Sequence, residues 1–252
     1  MLVLLSALLV SYIFPFAIYF FLRNAHKEDT GYKKDCRKLL LKGLLLGFPV
    51  FGFSLLCNII FRFTHISDVY PFIEVIFRSF ILMAFSEELM KYLLAKGTLR
   101  KNLSTISFLD IMAYTTISAI GFELMESVVY LFSSNVPQIL MRGVTCMHAS
   151  FGLIMGYFLA KGIKKNGKMT MIPAVLISTL VHGTYDFLLD PSIFDTHWGD
   201  LALVLAFLCL VLNLYNFYFM SKARKKSYYV DPLFPHLSGS EDETAEKMSV
   251  DE

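Results

Sequence analysis

Seven stretches of roughly 20 residues, each apolar enough to cross ~30 Å of hydrocarbon, dominate the chain. A backbone surrounded by lipid must satisfy its own hydrogen bonds, so such stretches fold as helices. The pattern predicts spans at about 1–22, 39–61, 71–97, 107–132, 136–160, 171–189 and 200–221. Only 17% of residues are charged, against roughly a quarter in soluble domains. A soluble α/β enzyme, a coiled coil and a disulfide-stapled secreted domain are thereby excluded. The expected fold class is all-α, a polytopic membrane helix bundle.

The charges that remain are strongly ordered along the chain. Of 23 Lys and Arg, 18 fall in four segments: Arg23–Lys42, Lys96–Lys101, Lys161–Lys168 and Lys222–Lys226. The alternating loops near 62–70, 133–136 and 190–200 carry only Arg62. Cytoplasmic loops are the basic ones, which predicts an N-terminus outside and a cytoplasmic C-terminus. Topology accounts for every basic segment, so no nucleic-acid partner is expected. The first span lacks a basic leader and a small-residue cleavage site, and is expected to be retained. Residues 1–226 form the predicted membrane domain, with its polar core in 70–190. Residues 227–252 form an acidic, apolar-poor tail expected to be disordered. Cys36, Cys57, Cys146 and Cys209 are scattered, without CxxC spacing, and suggest neither a disulfide framework nor a zinc knuckle.

Ionisable side chains inside spans are costly, so they ordinarily face a cavity or a partner. Four consecutive spans carry them. The third holds Glu87, Glu88 and Lys91, near mid-span if Arg78 reaches the outer interface and Lys96 the inner one. Adjacent helical residues point about 100° apart, so one carboxylate is expected in a cavity and the other elsewhere. Lys91 is spaced to neutralise either; a plain structural ion pair is the competing reading. The fourth span adds Glu123 and Glu126, which share a face after Gly121. Hydrogen-bonded acids beside a packing glycine are the simpler alternative there.

The fifth span carries Arg142, expected at the outer interface, and His148 above Gly152 and Gly156 on one stripe. The sixth holds His182 with Asp186 one turn on, at a spacing that can orient the imidazole. Asp186 capping the helix exit is the alternative. His26, His65, His197 and His236 fall in loops or the tail and receive no role. Two acidic pairs and two histidines on four helices suit water activation, with carboxylate as base and imidazole orienting water or stabilising an oxyanion. Zn²⁺ held by Glu and His is a second route to the same nucleophile. There is no HExxH.

Glu87-Glu88-x-x-Lys91, Gly121-Phe122-x-x-x-Glu126, His148-x-x-x-Gly152 and His182-Gly183-x-x-Asp186, in that order, resemble the PrsW family. That family comprises bacterial intramembrane proteases that make the first cut in membrane-anchored anti-sigma factors. It is distantly similar to CAAX prenyl endopeptidases. The resemblance covers about residues 70–190. It implies a multi-pass protease of the bacterial cytoplasmic membrane, acting on a single-pass membrane protein. It maps the catalytic positions to Glu87, Glu88, Glu126, His148 and His182; Lys91 and Asp186 are expected in support, as is Glu123, an extra acid that the family pattern does not place. A metal-free glutamate mechanism is the expected one, because these residues suit hydrogen bonding around a water as readily as coordination. Zinc is the rival cofactor. A proton- or ion-coupled transporter or channel, and a non-catalytic scaffold, are the alternative functions.

Overall fold

A computed structural model describes residues 2–26, 28–64, 71–102, 105–132, 136–166, 171–190 and 199–233. Every regular element among them is a helix, with one isolated antiparallel bridge between Ser107 and Pro232. In chain order the helices are α1 (Leu2–Ser11), α2 (Ile13–Arg23) and α3 (Thr30–Thr64). Then come α4 (Pro71–Phe77), a π-helical stretch (Arg78–Phe85) and α5 (Ser86–Leu99). After a 3₁₀ turn at Arg100–Asn102 follow α6 (Phe108–Tyr130), α7 (Val136–Thr145) and α8 (Met147–Asn166). The last are α9 (Met171–Leu189), α10 (Gly199–Ala223) and the short α11 (Ser227–Val230).

Six helical stretches are long and apolar enough to span a bilayer, α1–α2 and α7–α8 each counting as one. The expected third span is helical from Pro71 to Leu99, but Arg78, Glu87, Glu88 and Lys91 interrupt its apolar run. At ~1.5 Å per residue it is still long enough to cross. The protein is a polytopic helical membrane bundle.

The central element is α6, with 94% of its apolar window buried by its neighbours. Its start is set by a capping box: Ser107 Oγ accepts from the Asp110 amide and Asp110 accepts from the Ser107 amide. Two glycine contacts draw neighbours onto it. A Cβ on Gly121 would stand 2.2 Å from the Leu40 carbonyl oxygen and 3.0 Å from Gly43 Cα, so α3 and α6 touch backbone to backbone. On the other side Gly152 and Gly156 seat α8 against Thr115, Thr116 and Met112. The glycine stripe below His148 is therefore the α6–α8 interface.

The ends that carry the basic segments gather at one end of the bundle. There Asn102 donates to Asp35, Arg224 donates to the Phe21 carbonyl and Lys164 donates to the Tyr228 carbonyl. His26 also lies there, 2.7 Å from Asp110, so a histidine left without a role has a definite partner. The first residues past Lys226 fold back as well. Tyr229 packs edge-on against Phe108, and the Leu233 amide donates to the Ile106 carbonyl. The rest of the expected acidic tail lies outside the described residues, as do His65, His197 and His236. At the opposite end Arg78 pairs with Asp190 rather than reaching alone for the interface.

Candidate active site

All the acids and histidines expected at the site meet in one buried cluster between α5, α6, α8 and α9. Glu87, Glu88, Lys91, Glu123, Glu126, His148 and His182 are each at most 4% exposed. Glu87 and Glu88 open α5 directly after the π-helical stretch, a helix distortion common at functional sites. That stretch packs on α9, where the Gly183 backbone lies against the Phe80 ring.

The adjacent glutamates, expected to diverge, serve the same cluster. Their side chains are long enough to converge from directions 100° apart. Lys91 Nζ lies 2.9 Å from Glu88 Oε1 and 3.3 Å from Glu87 Oε2, and also 2.8 Å from His148 Nδ1. An ammonium only donates, so His148 Nδ1 is the accepting nitrogen and Nε2 carries the ring proton. That proton points at Glu126 Oε2, 2.6 Å away. For His182 the roles reverse. Nδ1 lies 2.9 Å from Glu88 Oε1 and donates to it, which leaves the Nε2 lone pair facing inward. Glu87 Oε2 is 3.9 Å from that nitrogen, and Asp186 Oδ2 is 3.2 Å from it without the alignment of a hydrogen bond. The Phe151 ring stacks on His182 and meets His148 edge-on, which holds both imidazoles.

Arg142 overturns one expectation. Rather than extending to the outer interface, its guanidinium is mostly buried, donates to Glu126 and lies over the Tyr130 ring. It also stands 3.9 Å from Glu123 Oε1. The two acids of α6 would repel without a cation between them, and Arg142 is that cation. Glu123 makes a second contact through its other oxygen, Oε2, which accepts from the His148 amide at 3.2 Å. This contact exists because the helix breaks at Cys146, the one non-glycine residue with positive φ (44°) among those described. Neither the break nor the π-helical stretch has a signal in the sequence. Arg142 had one, a charge inside a span, but its partner could be named only from the packing.

Glu87, His148 and His182 each offer a ligand atom, and the three atoms lie within 4.8 Å of one another. The donor set suits a divalent metal. One carboxylate and two imidazoles leave a fourth position open, as catalytic zinc sites do, with neighbouring ligand atoms about 3.3 Å apart for ~2 Å bonds. Here Glu87 Oε2 stands 3.9 and 4.0 Å from the two imidazole nitrogens, so a contraction that also releases His148 Nδ1 from Lys91 would seat an ion. Each histidine also directs its other nitrogen to a carboxylate, as metal-bound histidines do. The charge balance agrees. Among the described residues Glu87, Glu88, Glu123, Glu126 and Asp186 are opposed in the cluster by Lys91 and Arg142, and Glu88 Oε2 is buried with no hydrogen-bond partner. The difference is three charges, which a dication with one proton, or protons alone, would supply.

The metal-free site expected from the sequence is therefore one that could also take a metal, and comparison with known proteins leans toward the metal. The profile described as PrsW family intramembrane metalloprotease matches residues 36–214. Protease PrsW of Clostridioides difficile is 29% identical over 177 residues, 66% of this chain and 65% of that protein. Protease PrsW of Oceanobacillus iheyensis is 27% identical over 150 residues, 58% of this chain and 70% of the relative. That of Halalkalibacterium halodurans is 27% identical over 176 residues, 68% and 76%. The match thus spans just under two thirds of the first of these relatives and more of the other two. No solved structure matches the chain significantly.

Proposed function

The chain belongs to the PrsW family of intramembrane metalloproteases, and on that premise we propose that it is a peptidase cutting a single-pass membrane protein. The observation that carries this reading is the convergence of Glu87, His148 and His182 in a cluster closed off by four helices. An anti-sigma factor is the substrate class the family resemblance suggests. The bacterial cytoplasmic membrane is the matching location, with the N-terminus outside and the basic end of the bundle in the cytoplasm.

Hydrolysis needs a water held, deprotonated and aimed at a carbonyl carbon. Glu87 is placed to hold and deprotonate it, since its Oε2 stands 3.9 Å from the free Nε2 lone pair of His182. The water oxygen adds to the scissile carbonyl while its proton passes to the carboxylate. Lys91, whose three hydrogens are engaged by Glu87, Glu88 and His148, favours the oxyanion through its buried positive charge. The carboxylate then returns the proton to the leaving nitrogen as the C–N bond breaks, giving a new acid and a new amine. Glu88 and Glu126 fix the tautomers of His182 and His148, and Arg142 keeps Glu126 in position. A divalent metal held by Glu87, His148 and His182 would polarise the carbonyl and lower the pKa of the water; Glu87 would then be a ligand, and the unpartnered Oε2 of Glu88 would be the carboxylate oxygen left for the proton.

Membrane proteomics of cells carrying wild-type or Glu87→Gln protein tests the reading. A single-pass protein should accumulate uncut in the variant, and the purified wild type should cleave it. One divalent ion per chain, lost in His148→Asn, is the expected metal analysis. Ion flux in liposomes without proteolysis would favour a transporter and sink the peptidase reading.

A further inference from the structure

We propose that Asn213 is a positioning residue: from α10 it holds the α7–α8 break that aims His148 at Glu126 and Lys91. The effect on rate rests on the peptidase reading; the effect on His148 does not.

Asn213 is out of place by composition, an amide within the apolar run Leu208–Tyr215, and it is 3% exposed. A buried amide in a span costs free energy unless both of its hydrogens find acceptors. Here Nδ2 donates to the Thr145 carbonyl at 2.7 Å and to the Cys146 carbonyl at 3.2 Å. These two carbonyls flank the interruption between α7 and α8. Cys146 adopts a left-handed conformation that side chains other than glycine's disfavour, and such strain persists only where surrounding contacts enforce it. Two hydrogen bonds from a neighbouring helix are such contacts. One turn along α8, Ser150 Oγ donates to the Cys209 carbonyl, so α10 grips the start of α8 at two levels.

The break has a consequence for chemistry. It starts a new helix at Met147, which exposes the His148 amide to Glu123. A carboxylate is favoured at that end of a helix. The His148 ring is thereby set with Nε2 on Glu126 and Nδ1 on Lys91. Were α7 and α8 one continuous helix, the His148 amide would be spent on the residue four before it. The imidazole would then rotate away from this setting.

The test compares Asn213→Leu with Asn213→Leu/Cys146→Gly, because glycine accepts the left-handed conformation without the enforcing contacts. Histidine ¹⁵N NMR of the full-length protein reads His148 directly, its signal identified by its loss in His148→Asn. The wild type should show one protonated and one unprotonated ring nitrogen. In Asn213→Leu that pattern should average or shift, and Cys146→Gly should bring it back. With the substrate found by proteomics, kcat should fall ten- to a hundredfold in Asn213→Leu, the cost of a displaced catalytic group, with KM little changed. The added glycine should recover much of that loss. Should Asn213→Leu fail to fold, Asn213→Ala removes both amide hydrogens with no added bulk, and the same comparison is made with it. An unchanged His148 pattern, or a changed one that glycine at 146 does not restore, overturns the proposal. A pattern that responds as described in a protein that cleaves nothing would leave the positioning role standing and remove the peptidase reading.

Discussion

The most apolar helices and the helices of the cluster are different parts of the molecule. Within the apolar windows of α3 and α10 only 28% of residues are buried by protein, whereas α6 reaches 94% and α7–α8 reach 78%. Leu203, Phe207, Leu208 and Leu214 of α10 stand more than half exposed, where lipid would meet them. The carboxylates and imidazoles lie instead on α5, α6, α8 and α9, whose side chains at the cluster are buried. In water, burial and apolar character go together; in a bilayer the solvent is itself apolar, and helices are held together by close contact and polar groups. Polar side chains in this protein therefore mark the interior, and the greasiest helices form the rim.

The interior side of that contrast should break first. Glu87→Gln and Glu88→Gln keep volume and hydrogen bonding but remove the carboxylate. Cleavage of the substrate found by proteomics should fall by roughly two to four powers of ten, the usual contribution of a general base. A double variant that cuts at the wild-type rate would make both glutamates structural.

Stability should divide along the same line. Arg142→Met leaves Glu123 and Glu126 buried without their cation. Losing one partner of a buried pair costs about 3–5 kcal/mol, so thermal unfolding in detergent should shift down by many degrees. On the rim, Leu208→Ala should change stability by less than about 0.5 kcal/mol. Comparable shifts for the two would erase the distinction between core and rim.

The smallest effect is expected at the basic end of the bundle. The hydrogen bond to Asp110 raises the pKa of His26 above its ordinary 6.5. A raised histidine pKa stabilises the fold below the unfolded value and loses that contribution as pH rises through the folded one. His26 is 42% exposed, so solvent screens the pair and its contribution is slight. His26→Gln should therefore lower the unfolding temperature slightly at pH 6 and not at pH 9. A difference that grows with pH would reverse the assignment.

Much of the fold follows from order along the chain. Apolar runs, their length against a bilayer and the alternation of basic loops specify a helical membrane bundle before any packing is known. The cost of burying charge singles out Glu87, Glu88, Lys91, Glu123, Glu126, His148, His182 and Asp186, whose order and spacing also carry the family resemblance. What belongs to the tertiary structure is pairing. Arg142 looks like an interfacial residue until α7 is set beside α6, and Asn213 looks like a polar residue without a partner until α10 meets the break at Cys146. The tautomers of the two histidines depend on Lys91 and Glu88, which come from another helix. Hydropathy and periodicity are local properties that specify each helix and its polar positions. Partners depend on the depth and rotation of separate helices, which are set by contacts such as Gly43 on Gly121, and long side chains can reach more than one neighbour until those contacts are made.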